Sequence, residues 1–263
     1  MKHPMSFFLS FLLVIAFSVS VSAQSDRGLE IAKLADEADH GFESTEVTLI
    51  MNLKNANGQT SSRNLFNKTL EQTEDGDKSL IIFNSPKDVK GTSMLTFTHK
   101  EGTDDQWLFL PSIKRVKRIS SNNKSGPFMG SEFAYEDLSS QEVEKYTYKY
   151  LSEEILNGDK TYKLERYPVD PTSGYKKQVA WYNTDKGYRI EKVDFYDRKG
   201  ALLKTLVYKN YQLYKNKYWR ADEMYMTNHQ TKKETQLVFA DYQFKTGLSG
   251  NDFTQNSLMR AGK

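Results

Sequence analysis

The chain has 263 residues, no cysteine, 13% aromatic residues led by 16 tyrosines, and a formal net charge of +3. The missing cysteine excludes disulfide frameworks, Cys-ligated zinc or iron–sulfur sites, thiol nucleophiles and lipidated cysteine. A charge so near zero gives no overall reason to expect nucleic acid as a partner.

The N-terminus reads as an export address. Lys2 and His3 form a positive start, Phe7 to Val21 is an uncharged apolar run, and Val21-Ser22-Ala23 supplies small residues for cleavage. The apolar run, about 15 residues, is short of the roughly 20 needed to span a bilayer. Residues 1–23 are therefore expected to be a cleaved signal peptide and 24–263 a single exported β domain. With Gln24 rather than cysteine after the cleavage point, no lipid anchor is expected.

Asp26 to His40 has apolar residues at an approximate 3–4 spacing (Leu29, Ile31, Leu34, Ala35, Ala38), which predicts a helix. Ser25 or Asp26 is its candidate cap and Gly41 its stop. The period then changes to two. Val47, Leu49, Met51 and Leu53 share one face of a strand, and Thr48, Ile50 and Asn52 share the other. Candidate strands follow at 43–55, 60–74, 78–84, 93–100, 105–110, 143–155, 160–167, 176–183, 188–197, 202–211, 217–228 and 234–244, with a basic strand around Lys114–Arg118. Asn57-Gly58, Asp75-Gly76 and Asn157-Gly158 are hairpin-type turns between them. Asn251 to Arg260 closes the chain as a short helix or coil.

Strands joined by short turns, without helices between them, predict an antiparallel meander rather than a doubly wound sheet. A long sheet with one apolar face must hide that face and its edges. The expected fold is mainly β: a half-open or closed barrel with a helical cover.

Catalytic signatures are missing. HExxH, GxSxG, the P-loop and GxGxxG do not occur, and His40, His99 and His229 are isolated. His99 lies near Asp104 and Asp105, a spacing too loose to define a metal site. The pattern favours a binding protein over an enzyme and implies no cofactor or metal.

Residues 104–138 stand apart. The apolar strand Trp107-Leu108-Phe109-Leu110 ends at Pro111; Lys114, Arg115, Lys117 and Arg118 crowd together; Glu132, Glu136 and Asp137 close the block. The basic and acidic parts either neutralise each other or leave a basic rim beside an apolar pocket, suited to an amphiphile with an anionic head. Trp107-x-x-x-Pro111, Lys114-Arg115-x-Lys117-Arg118-Ile119 and Phe128-Met129-Gly130-Ser131-Glu132-Phe133-x-Tyr135-Glu136-Asp137-Leu138 closely resemble the outer-membrane lipoprotein-sorting protein family. These are LolA-like periplasmic proteins, often described beside RND-type exporters. The resemblance extends over nearly all of the chain beyond the signal, with Glu132 where the family usually has Asp. It implies a mainly β fold, a strongly curved, unclosed antiparallel β-barrel or half-barrel with helices over its concave face, and acyl-chain binding in that concavity.

The expected function is a periplasmic carrier of a lipid or lipoprotein acyl chain; the alternative is an accessory or sensor subunit docking on an RND-type transporter. Candidate lining residues are Leu49, Met51, Trp107 and Phe109, with Phe97, Phe195, Met224 and Met226. Arg115, Lys117 and Arg118 are the candidate contacts to a head group or an acidic partner.

Overall fold

Period-two alternation from Ser44 onward builds one antiparallel sheet of 13 strands in the computed structural model, which describes residues 7–260, with side chains from Ala23. The strands are β1 (Ser44–Lys54), β2 (Thr60–Leu70), β3 (Lys78–Ser85), β4 (Ser93–Phe97), β5 (Asp105–Leu110), β6 (Arg115–Arg118) and β7 (Tyr146–Leu156). There follow β8 (Asp159–Pro168), β9 (Tyr175–Asn183), β10 (Ile190–Asp197), β11 (Leu202–Tyr214), β12 (Tyr218–Asn228) and β13 (Glu234–Phe244). Their order is β6-β5-β4-β3-β2-β1-β13-β12-β11-β10-β9-β8-β7. The sheet curves but stays unclosed, with β6 and β7 as its edges. Every expected strand is present. Asn157-Gly158 forms the two-residue turn between paired Leu156 and Asp159, both turn residues having positive φ (52° and 90°) as a type I′ hairpin requires.

Helix α1 (Phe7–Asp39) begins earlier than the expected cap at Ser25 or Asp26, because no glycine or proline interrupts the chain between Phe7 and Asp26. Gly41, at φ 92°, ends it as expected. The positive start of the expected signal peptide, Lys2 and His3, lies outside the described residues. Among the described residues no helix is long and apolar enough to cross a membrane. Helix α2 (Gln255–Arg260) is the short closing helix.

Alternation along single strands separates two cores. On β3, Ile81 and Phe83 face the concave side while Leu80 and Ile82 face the convex side; on β5, Leu108 faces in and Phe109 out. The large concave core gathers Ile31 and Ala32 of α1, inward residues of most strands, and Phe128, Phe133 and Val143 from the segment joining β6 to β7. The small convex core lies under α2, where Leu80, Leu95 and Phe109 pack with Phe253 and Leu258. The Ser93 hydroxyl donates to the Leu258 carbonyl at 2.7 Å and pins α2 to β4.

Gly28 lets α1 lie directly on β7. A Cβ there would stand 3.0 Å from both the Tyr148 Cβ and the Tyr150 amide nitrogen.

Candidate functional site

The segment between β6 and β7 crosses the concavity and fills one end of it. Arg63 of β2 donates to the Met129 carbonyl at 2.5 Å, and the Glu132 amide donates to Thr235 of β13 at 2.9 Å. Phe128 and Phe133 are thereby driven into the core. The acidic residues of the block hold it in place. Asp137 accepts from Lys204 at 2.6 Å, Tyr175 at 2.8 Å and its own Ala134 amide at 2.7 Å. Glu136 accepts from Ser173 and the Gly174 amide, both at 2.8 Å, and Glu132 accepts from Asn228 at 2.7 Å.

The other end remains open as a cavity of about 450 Å³ between α1 and strands β1, β2 and β7–β13. Small residues of α1 (Ala32, Ala35, Ala38) leave the space. Aromatic side chains dominate the opposite wall: Tyr146 and Tyr148 of β7, Tyr182 of β9, Tyr208 and Tyr211 of β11, Trp219 of β12. The Tyr148 hydroxyl donates to the Val143 carbonyl at 3.1 Å and the Tyr146 hydroxyl to Gln141 at 3.3 Å, so these rings are fixed. A volume of this size is typical of small-molecule sites.

Charge on the wall is divided. Half-exposed Asp36 and Asp39 mark the mouth, with Glu71, Asp77 and Glu142 nearby. Burial, reinforced by Glu71 and Asp39, pushes the Asp77 carboxyl up to about 6; burial, reinforced by Asp77 and Asp36, pushes Glu142 up to about 7. Burial also raises Asp36. Deep in the wall stands Arg166 of β8, only 3% exposed. It donates to the Tyr182 hydroxyl at 3.3 Å and to Gln178 at 2.5 Å, and it lies 5.2 Å from the centre of the Tyr146 ring.

The candidate lining residues fall elsewhere. Leu49, Met51, Phe195 and Met226 point into the concave core and are buried, and Met224 packs against them. Met51 pairs with Arg63, and Met226 with Thr235, so both lie under the crossing segment rather than on the cavity. Phe97, Trp107 and Phe109 belong to the convex core under α2. None of the eight lines the cavity. Arg115, Lys117 and Arg118 are exposed on edge strand β6, where Arg118 pairs with Asp105. They do not pair with Glu132, Glu136 or Asp137. The tyrosine wall carries a sequence signal, since Tyr146, Tyr148 and Tyr150 alternate along one strand, and Arg166 sits in phase with inward Leu164.

Among the described residues, three of the chain's four histidines serve local structure. His40 bonds the Asp36 carbonyl at 2.9 Å, His229 bonds Thr205 at 2.8 Å, and His99 bonds Asp75 at 2.6 Å. Among the described residues no cluster of His, Asp and Glu could hold a metal ion.

A family model described as "Uncharacterized protein" matches residues 75–260. No curated protein matches the chain. Among solved structures the chain is similar to a domain named for outer-membrane lipoprotein sorting from Vibrio parahaemolyticus, at 55% identity over 90% of this chain and 100% of that one, with a TM-score of 0.88. It is also similar to a DUF1329 family protein from Desulfovibrio piger, at 26% identity over 89% and 99% of the two chains, TM-score 0.84. A LolA superfamily protein from Nitrosomonas europaea shares the fold, with a TM-score of 0.70 at 21% identity over 87% and 97%.

Proposed function

The chain belongs to the same family as the Vibrio parahaemolyticus lipoprotein-sorting domain and has the fold of a LolA superfamily protein, and on that premise we propose that it is a non-enzymatic carrier of a lipid or lipoprotein acyl chain in the periplasm. The cavity between α1 and the tyrosine wall carries this reading. Tyrosine rings give apolar area with a polar tip, so the wall accepts an acyl chain and still hydrogen-bonds at its ends. Each methylene moved out of water contributes about 0.8 kcal/mol, enough for one long chain to hold after ordering costs. In this reading residues 1–23 direct export and are removed, and 24–263 act as one domain.

Native mass spectrometry after gentle purification tests it. The expected result is a fraction of chain carrying one lipid mass. Ala35→Trp, which fills the cavity from α1, should keep the thermal midpoint and lose that mass. A chain that is always empty, and that takes up no lipid from mixed vesicles, refutes the carrier.

The edge of the sheet supports a second reading, docking on an RND-type transporter. Arg115 and Lys117 on β6 are exposed and have no carboxylate partner among the described residues, which suits an acidic surface. Charge reversal at Arg115, Lys117 and Arg118 should abolish capture of the transporter without changing lipid occupancy; unchanged capture refutes it.

A further inference from the structure

Resting on the carrier reading, we propose that the cavity takes an amphiphile with its anionic group, a carboxylate or phosphate, seated inside against Arg166, and its apolar body running towards the mouth.

Among the described residues two buried side-chain polar atoms have no hydrogen-bond partner, Arg166 Nε and Asn67 Oδ1. Both residues line this cavity. Such atoms are rare in folded proteins, and two on one cavity wall mark a place where a ligand completes the bonding. Arg166 is also the one cation on that wall left without an anionic or backbone partner among the described residues. Arg220 has Asp39 at 2.5 Å, Arg189 has Glu191 at 2.9 Å, Lys100 has the Thr73 carbonyl at 2.9 Å, and Lys217 has the His40 carbonyl. Its neighbours are neutral: Gln178 and the hydroxyls and rings of tyrosines.

An unpaired buried guanidinium lowers stability unless something repays it. Its planar fork matches a carboxylate or phosphate in two-point contact. The Tyr182 hydroxyl accepts from Arg166 and keeps its own proton to donate. Burial keeps the Tyr208 hydroxyl protonated, its ionisation pushed up to about 12, so it too offers a donor and not a charge. The field along the cavity sets the polarity. Asp36 and Asp39 are half exposed and Asp39 is paired with Arg220, whereas Arg166 is almost fully buried and has no counter-charge, so an anionic head is drawn inward to it. Asn67 Oδ1 stands as a free acceptor on the wall of the same cavity.

The test compares three single-chain probes on the delipidated full chain by titration calorimetry: hexadecanoate, hexadecyl phosphate and hexadecanol. The expected result is that one or both anions bind at least about ten-fold tighter than the alcohol, as a charge-assisted contact provides. The tighter anion identifies the head group. Arg166→Gln should erase that preference and leave hexadecanol affinity unchanged, with a thermal midpoint at or above wild type because an unpaired charge has gone. Arg166→Lys should keep part of the preference. If wild type binds hexadecanol as tightly as both anions, the inference falls and the carrier reading stands. A preference that survives in Arg166→Gln overturns the assignment to Arg166. A folded chain that binds none of the three overturns the carrier reading and this inference with it. A large fall in the midpoint of both Arg166 variants would make the residue structural and also overturn it.

Discussion

Replacing Lys204 with methionine should show that the acidic end of the family-like block is a clamp. The Lys204 and Asp137 side chains are 4% and 6% exposed, and their charged atoms stand 2.6 Å apart. Lys204 also donates to the Glu132 carbonyl at 2.9 Å. In Lys204→Met the Asp137 carboxylate keeps Tyr175 and the Ala134 amide but loses its counter-charge inside the protein. Removing one partner of a buried pair costs about 3–5 kcal/mol. In a domain of this size that lowers the thermal midpoint by about 6–20 °C. Urea unfolding of wild type, Lys204→Met, Asp137→Asn and the double variant measures the coupling directly. Contacting charges in one network should couple by about 2 kcal/mol or more, the double variant losing less than the sum of the singles. Additive effects, or a Lys204→Met loss under about 1 kcal/mol, would refute the clamp.

The acidic mouth makes stability depend on pH. Asp77 and Glu142 are raised from ordinary values of 3.8 and 4.5 to about 6 and about 7, so the folded chain holds more protons than the unfolded one in that window. Stability from these two groups therefore falls as pH rises from about 4 to about 7. Asp36, Asp39, Glu71, His40 and Lys100 share their surroundings. The thermal midpoint of Asp77→Asn/Glu142→Gln should gain on wild type between pH 5 and pH 7.5; parallel curves would contradict it. Gly28→Ala should destabilise by about 1–3 kcal/mol through overpacking against β7, although alanine is the better helix former. A gain in urea midpoint would show that α1 can shift away. Arg115→Glu/Lys117→Glu should leave stability within about 0.5 kcal/mol, because both side chains are exposed on an edge strand; a larger loss would mean that β6 needs them to fold.

The strand pattern was legible because it depends on local alternation. Val47, Leu49 and Met51 face inward as their period says. What alternation does not carry is which inward residues meet another segment. Thr45 and Val47 reach the cavity, whereas Leu49 and Met51, next on the same face, are covered by the crossing segment around Met129. Trp107 and Phe109 are the most apolar part of the distinctive block, and their phase on β5 sends them to the convex side. Strong hydrophobicity marks the places a fold closes on. A cavity wall is found where packing is withheld, and here it is written in tyrosines and one inward arginine.

What identifies the family and what chooses the ligand lie in different parts of the chain. No residue between 104 and 138 lines the cavity. The block's conspicuous residues instead tie a crossing segment to β2, β11, β12 and β13 through Met129, Asp137 and Glu132. That segment fills one end of the concavity and so fixes where the remaining space lies. The chemistry of that space comes from α1, β1, β2 and β7 to β13, where Ala35, Asn67, Tyr182, Arg166 and Tyr208 sit. A change of ligand then needs substitutions only on those elements, with the block untouched. Exchanging Arg166 and its tyrosine neighbours should alter which amphiphile is held while Lys204 and Asp137 go on holding the fold.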